Sequence, residues 1–174
     1  MKKFRFVNRK GYGLLEMMVT LSLFSLLTIA VAGVFDTSQE SLNWNYHELE
    51  LQKGLRNTLA VMSQEIKEAS PSSPTPITIS PNRIVFEIPS AVSGNTVTGW
   101  TQIRYDLNGN GQVLRTVGTQ TTSLGNDVQA LSFAYPLNAV SAPRTVQIRI
   151  TGSRTTLKRN ITVTVTGEVT LRNL

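Results

Sequence analysis

The chain shows two hydrophobic patterns, a continuous one near its beginning and an alternating one near its end. The continuous pattern runs from Met17 to Phe35, 19 residues without a charge. At about 1.5 Å rise per residue, a helix of this length spans about 28 Å, close to the hydrocarbon thickness of a bilayer. The segment therefore predicts a membrane-spanning helix. The five basic residues before it predict a cytoplasmic N-terminus and a C-terminus outside.

A helical pattern without proline continues from Asp36 to Ala69. One set of apolar residues falls within an arc of about 80° at about 100° per residue, which predicts a buried face: Trp44, Leu51, Leu55, Leu59, Met62, Ile66 and Ala69. A second set lies on nearly the opposite side: Leu42, Tyr46 and Leu49. The proline-rich run from Ser70 to Pro76 ends the helix, because proline lacks the N–H that a helix requires.

The remainder of the chain predicts β-strands, at residues 83–88 (closed by Pro89), 100–107, 112–117 and 128–135. Val146–Ile150 and Ile161–Leu171 alternate apolar and polar residues, although Gly167 interrupts the second run. This alternation predicts one face on a core and one in water. Asn108–Gly111 predicts a hairpin turn. The sequence therefore predicts an α+β fold, in which a long N-terminal helix packs on an antiparallel β-sheet.

The residues in front of the apolar run carry a second signal. In Gly11-Tyr12-Gly13-Leu14-Leu15-Glu16, a glycine and an aromatic residue precede a single glutamate at the start of the apolar segment. A carboxylate at the edge of hydrocarbon costs on the order of 2–3 kcal/mol, so Glu16 is predicted to have a partner or a role. An ordinary secretory signal is cleaved after a shorter apolar core. Here the leader-like cleavage point lies before the apolar run.

Together with the basic leader, this segment resembles the type IV prepilin signature. The resemblance implies that prepilin peptidase cuts after Gly11 and that the new amino terminus, on Tyr12, is methylated. It also implies that Glu16 pairs with the amino terminus of a neighbouring subunit during assembly. Two buried opposite charges offset each other's desolvation only when they are in contact. Two residues depart from the usual signature. Tyr12 stands where phenylalanine is usual, and Gly13 stands where threonine or serine is usual.

The resemblance implies a pilin-like organisation of four segments. They are a cleaved leader at 1–11, a transmembrane and filament-core helix at 12–35, an amphipathic stem helix at 36–70 and an antiparallel β globular domain at 71–174. The implied location is the inner membrane in a single pass, and then a periplasmic or extracellular filament. The implied partners are prepilin peptidase, other pilins through the N-terminal helix, an inner-membrane assembly platform, and membrane lipid before assembly.

Looser similarities extend over the rest of the chain. Residues 55–69, 103–116 and 128–135 resemble PilW-like minor pilins and J-like pseudopilins of type II secretion. Three functions therefore stay open. The first is a minor pilin that enters or primes a type IV pilus-like filament for motility, adhesion or DNA uptake. The second is a pseudopilin for protein export, and the third is a helix-anchored exported binding module. None of the three is an enzyme.

Charge and cysteine content narrow these options. The full chain carries a net charge of +6, but five of its 17 basic residues precede Gly11. The remaining 12 basic residues are nearly balanced by 11 acidic residues, so the net charge after cleavage is +1. The isoelectric point of about 10.0 therefore reflects the leader and is a poor argument for nucleic-acid binding. Because the chain has no cysteine, core packing rather than disulfides must hold an exported domain together.

Catalytic residues are not predicted. The one histidine, His47, lies on the predicted stem helix and is interpreted as a solvated or intersubunit residue, so Cys–His and His-cluster sites are excluded. A basic face for DNA could combine Trp100 and Tyr105 with five arginines: Arg104, Arg115, Arg144, Arg149 and Arg154. Alternating arginines on strands usually form the solvated face, so nucleic-acid contact is not favoured.

One loop has the spacing of a metal site. Asp106, Asn108 and Asn110 place oxygen side chains at alternate positions, and Gly111 occupies the sixth, as in the first half of a calcium loop. The twelfth position, where a bidentate acid is expected, is Val117. Hairpin turns rich in asparagine and glycine have this composition without metal. The sequence therefore predicts no cofactor and leaves calcium at this loop as the alternative.

Overall fold

The computed structural model describes residues 13–70, 77–94, 96–135, 145–156 and 159–171. The predicted leader, with Gly11, and Tyr12 lie outside the described residues, as do Pro71–Pro76 and Arg144. The chain divides into two compact units, one up to Trp44 and one from Asn45 onward. The second unit therefore contains the distal part of the helix as well as the strands.

The predicted long helix is confirmed as α1, Leu14–Glu68. It ends before the prolines because Pro71 disfavours a helical conformation at Ser70. The backbone N–H of Ser70 instead donates to the Glu87 carbonyl oxygen at 3.3 Å. The end of α1 is thus tied to a strand.

The buried face of α1 agrees with most of the predicted apolar stripe. Five of its members are buried: Leu51, Leu55, Met62, Ile66 and Ala69. Leu59 is half-buried, and the second apolar set (Leu42, Tyr46 and Leu49) is exposed. Thr58 is buried although the stripe omits it. Its hydroxyl donates to the carbonyl oxygens of Gly54 (3.0 Å) and Leu124 (3.3 Å), which satisfies it inside the core.

The described residues form two antiparallel sheets, whereas the sequence predicted one. The first has the order β1 (Thr78–Ser80), β2 (Arg83–Ser93), β3 (Thr96–Leu107), β4 (Val113–Val117) and β5 (Gln120–Gly125). The second has the order β6 (Val128–Ala134), β7 (Thr145–Thr155) and β8 (Asn160–Thr170). The β3–β4 hairpin and the alternating strands β7 and β8 are confirmed.

The strand predictions need correction in three respects. β1 and β5 were missed, because both are short and mostly exposed and so lack apolar alternation. β2 does not stop at Pro89 but continues to Ser93. β1 pairs only with Arg83–Val85, so Pro89 removes no described ladder bond on that side. Gly167 does not interrupt β8, since it pairs with Ile148.

Three glycines allow the helix to lie close to both sheets. A Cβ on Gly125, at the end of β5, would lie 2.5 Å from the Thr58 hydroxyl oxygen. A Cβ on Gly152 of β7 would lie 2.9 Å from a Leu55 methyl carbon, and one on Gly167 of β8 would lie 3.2 Å from Leu59. The same helix face therefore covers a core shared by the two sheets.

Candidate functional site

The N-terminal part of α1 is an apolar helix whose described side chains are exposed. An 18-residue stretch of it has a mean hydropathy of 2.2, and none of that stretch is buried. Large apolar side chains such as Leu14 and Phe24 are 80% and 70% exposed. By length and composition this helix is able to cross a membrane. So much exposed apolar surface requires lipid or other apolar helices around it, which suggests a membrane anchor.

Two threonine hydroxyl groups of this helix are satisfied within the helix. Thr20 donates to the carbonyl oxygens of Glu16 (3.0 Å) and Met17 (2.9 Å), and Thr28 donates to that of Phe24 at 2.8 Å. A polar group in hydrocarbon must find its partner in the protein, because no water is available there. The threonines therefore cost little in a membrane-spanning helix.

Glu16 lies in the first turn of α1, and its backbone N–H donates to the Gly13 carbonyl oxygen at 2.9 Å. A negative charge is favourable in a first turn because of the helix dipole. Its side chain is exposed, and among the described residues no basic group pairs with it. Its predicted role in assembly stays a prediction, as do the cut after Gly11 and the methylation of Tyr12.

A polar clamp fastens the distal part of α1 to the first sheet. Glu65 accepts hydrogen bonds from Arg115 of β4, from Nε at 3.0 Å to both carboxylate oxygens and from Nη2 at 2.7 Å to Oε1. The hydroxyl of Tyr105, on the neighbouring strand β3, donates to Oε2 of the same carboxylate. Such forked arginine–carboxylate pairing fixes orientation as well as distance. We call Glu65, Tyr105 and Arg115 the Glu65 clamp.

The clamp strongly affects the Tyr105 hydroxyl. Tyr105 is fully buried, and its ring stacks on Phe86 with the ring centroids 6.1 Å apart. Burial, reinforced by the adjacent Glu65 carboxylate, raises the pKa of Tyr105 well above its usual range. The hydrogen bond with Glu65 also raises the pKa of Arg115. Tyr105 therefore stays protonated and acts as a structural hydrogen-bond donor.

A second clamp fastens α1 to the second sheet. Arg154 of β7 donates from Nη1 to Glu50 at 2.6 Å, and from Nε and Nη2 to Asp127 at 2.9 and 2.7 Å. Asp127 adopts a positive φ of 60° in the short connection between β5 and β6. Its carbonyl oxygen accepts the Ser153 N–H at 2.8 Å. One arginine thus joins the helix, the inter-sheet connection and β7.

Neither clamp was predicted from the amino-acid sequence. A signal was available, because Glu65 lies between the buried residues Met62 and Ile66 of α1. A carboxylate beside a buried stripe is seldom left without a partner. The partner itself could not be read from the sequence, since Arg115 is 50 residues away and its face depends on strand register. Glu50, next to the buried Leu51, carried the same signal.

The residues of the disfavoured basic face are mostly engaged within the protein. Arg115 forms an ion pair with Glu65, and Arg154 forms one with Asp127. Arg104 pairs with Asp106 at 3.4 Å. Tyr105 cannot stack on a base because it is fully buried. Arg149 is exposed on β7. Arg115 and Arg154 therefore join α1 to the sheets.

His47 and the acidic residues do not gather into a metal-binding cluster in the described part of the chain. The His47 ring is partly exposed, and its Nδ1 lies 3.8 Å from a Glu50 carboxylate oxygen. The described ranges contain no group of three or more histidine, aspartate or glutamate side chains that could hold a metal ion. A solvated or intersubunit role for His47 stays a prediction.

The candidate calcium loop is organised by hydrogen bonds of its own. The Oδ1 atom of Asn108 accepts the backbone N–H groups of Asn110 (3.0 Å) and Gln112 (2.8 Å). Asp106 lies at the end of β3, where its carboxylate is 3.4 Å from Arg104 and 3.9 Å from Arg83. A calcium ion would have to compete with these partners. Calcium binding here stays a prediction.

Comparison with known proteins identifies the N-terminal segment. Residues 7–32 match a family model described as the prokaryotic N-terminal methylation motif. The match includes Gly11, Tyr12, Glu16 and much of the apolar part of α1. No curated protein and no solved structure matched the chain.

The motif and the fold together define the class of protein. A methylation motif leads into a long apolar helix, and antiparallel β-sheets follow, which is an α+β pilin-like architecture. These findings support a type IV prepilin-like protein, a class whose members are structural rather than enzymatic. The motif implies processing by prepilin peptidase and assembly with other pilins.

Proposed function

We propose that this chain is a minor pilin, a structural subunit that enters or primes a type IV pilus-like filament. The observation that supports this most strongly is the continuity of α1. The same helix that begins within the methylation motif, and exposes its apolar surface, continues into the compact unit of α1 and the two sheets. A filament subunit requires an anchoring helix that continues into its exported domain.

The proposed sequence of events begins in the inner membrane. The basic leader holds the N-terminus in the cytoplasm, and prepilin peptidase cuts after Gly11 and leaves Tyr12 as the methylated first residue. The apolar part of α1 then stays in the bilayer. It exchanges lipid for the helices of other subunits when the assembly platform extracts it. Both environments are apolar, so the exchange costs little hydrophobic free energy.

Glu16 favours the filament over the lipid bilayer, and it sets the position of a subunit relative to its neighbour. In lipid the carboxylate is unpaired among the described residues and costly, on the order of 2–3 kcal/mol. In a filament the methylated amine of a neighbouring subunit supplies the missing positive charge. The two charges offset each other's desolvation only when they are in direct contact, so a shifted neighbour gains nothing.

The test compares two carboxylates at opposite ends of the apolar run. Glu16→Ala should be cleaved normally and should accumulate in the membrane, but its crosslinks to other pilins through α1 should weaken. Asp36→Ala, the control, removes a negative charge at the far end and should crosslink as the unchanged protein does. Unchanged crosslinking by Glu16→Ala would refute the pairing role.

A deletion strain separates the pilus role from the alternative role in type II secretion. Loss of pilus-dependent motility, adhesion or DNA uptake, with export intact, supports the minor pilin. Loss of protein export with pili intact would instead reassign the chain as a J-like pseudopilin.

A further inference from the structure

The β3–β4 turn contains two consecutive Asn-Gly steps, Asn108-Gly109 and Asn110-Gly111, and the whole sequence has no others. An Asn-Gly step is the most reactive site for spontaneous deamidation, because glycine has no side chain to shield its backbone nitrogen. That nitrogen attacks the asparagine Cγ, a C–N bond forms, and the side-chain nitrogen leaves as ammonia. Water then opens the resulting succinimide to give aspartate or isoaspartate.

The two asparagines differ in the hydrogen bonds of their side-chain carboxamides. The Oδ1 atom of Asn108 accepts two backbone N–H groups, from Asn110 at 3.0 Å and from Gln112 at 2.8 Å. Its Nδ2 donates to the Gln112 side-chain oxygen at 3.0 Å. The carboxamide of Asn108 is therefore held at both ends. Attack requires the reacting atoms to approach to about 3–3.5 Å with aligned orbitals, so a fixed carboxamide has to break these bonds first.

Asn110 has no such restraint. It is exposed at the tip of the turn, and its carboxamide makes no hydrogen bond with any described residue. The nitrogen that would attack it belongs to Gly111, whose N–H has only a long contact of 3.3 Å with the Asn108 carbonyl oxygen. That contact is longer than the usual range of about 2.7–3.2 Å for such bonds.

We propose that Asn110 is a selective site of spontaneous deamidation and that Asn108, with the same neighbour, is protected. The reaction needs only water and gives an uncharged turn a negative charge. The isoaspartate product also adds a methylene group to the main chain between Asn110 and Gly111. The Gly111 carbonyl oxygen accepts the Val128 N–H at 2.9 Å, which links the turn to β6. Deamidation should therefore loosen the junction between the two sheets as the protein ages.

The two asparagines serve as matched controls within one chain. The detergent-solubilised full chain is incubated in mildly alkaline buffer, and peptide mapping by mass spectrometry follows the carboxyl products at each position. We expect Asn110 to convert faster than Asn108 by about tenfold, a factor that corresponds to about 1.4 kcal/mol of barrier. In the chain unfolded by denaturant, the two rates should be equal within about twofold, because the structural protection is then lost.

Two variants separate protection by structure from an effect of sequence. Gln112→Ala removes the acceptor of the Asn108 Nδ2 group and should accelerate conversion at Asn108 while leaving Asn110 unchanged. Asn110→Gln should abolish most of the charge change of the folded protein. The proposal is overturned if Asn108 converts as fast as Asn110 in the folded chain. It is also overturned if Asn110 does not convert, or if Gln112→Ala leaves Asn108 as stable as before.

Discussion

Glu65 is the residue whose loss tests the helix–sheet joint most sharply. Glu65→Ala removes the carboxylate that accepts from both the Tyr105 hydroxyl and the Arg115 guanidinium. Because Tyr105 is fully buried, its hydroxyl loses the acceptor of its proton, at a cost of about 1–3 kcal/mol. The Arg115 side chain is 29% exposed and can turn to water, so loss of its pairing adds only about 0–1 kcal/mol. The variant should therefore lose about 1–4 kcal/mol of unfolding free energy.

A double-mutant cycle distinguishes the unsatisfied hydroxyl from a simple loss of contacts. Tyr105→Phe removes the hydroxyl and leaves the Glu65–Arg115 pair intact, so it should cost about 0.5–1.5 kcal/mol. In the double variant no buried hydroxyl remains unpaired. The unfolding free energy that the double variant loses should be smaller than the sum of the two single losses by about 1–2 kcal/mol, as expected for residues in one hydrogen-bond network.

Urea unfolding followed by circular dichroism measures these differences on a fragment from Asn45 onward, which the structure shows as one compact unit. Glu48→Ala is the control, since this glutamate lies on the same helix and pairs with no described residue. It should stay within about 0.5 kcal/mol of the unchanged fragment. Strict additivity in the cycle, or a Glu65→Ala fragment as stable as the control, would refute the reasoning.

Three further outcomes are expected from urea unfolding. Because burial raises the pKa of Tyr105, the unfolded chain loses this proton first, so the unfolding free energy should fall as the pH rises above about 10. The unfolding free energy of Tyr105→Phe should fall less over the same pH range, and an equal fall would contradict the assignment. Leu55→Ala, at a buried position, should cost about 2–5 kcal/mol, whereas Leu49→Ala, at an exposed one, should cost under about 0.5 kcal/mol. Gly125→Ala places a Cβ 2.5 Å from the Thr58 hydroxyl oxygen and should cost about 1–3 kcal/mol; adding Thr58→Ala should restore part of that loss, and no recovery would argue against the clash.

The features that the sequence predicted correctly are those encoded by local periodicity. The apolar stripe from Leu51 to Ala69 identified the buried face of α1, and the alternation in Val146–Ile150 identified β7. Both signals arise because one face of the element is buried and the other is not. β5 has mostly exposed residues and was missed for the same reason.

Features that depend on long-range register could not be read from the sequence. The number of sheets is decided in the connection between β5 and β6, where Asp127 adopts a positive φ and Gly125 lies under Thr58. The Glu65 clamp joins residues 40 and 50 positions apart along the chain. The N-terminal motif is different, because its residues are consecutive and need no fold to be recognised. This is why the class of protein could be predicted although the clamps could not.

The identity of the mature N-terminus tests the central claim most directly. The full-length chain is expressed in a host with a functional prepilin peptidase, recovered from membranes or filaments, and analysed by mass spectrometry of its N-terminal peptide. We predict that the peptide begins at Tyr12 and carries an N-methyl group, and that replacing Gly11 leaves the leader attached. An intact terminus at Met1 or Lys2 in assembled filaments would contradict the prepilin assignment.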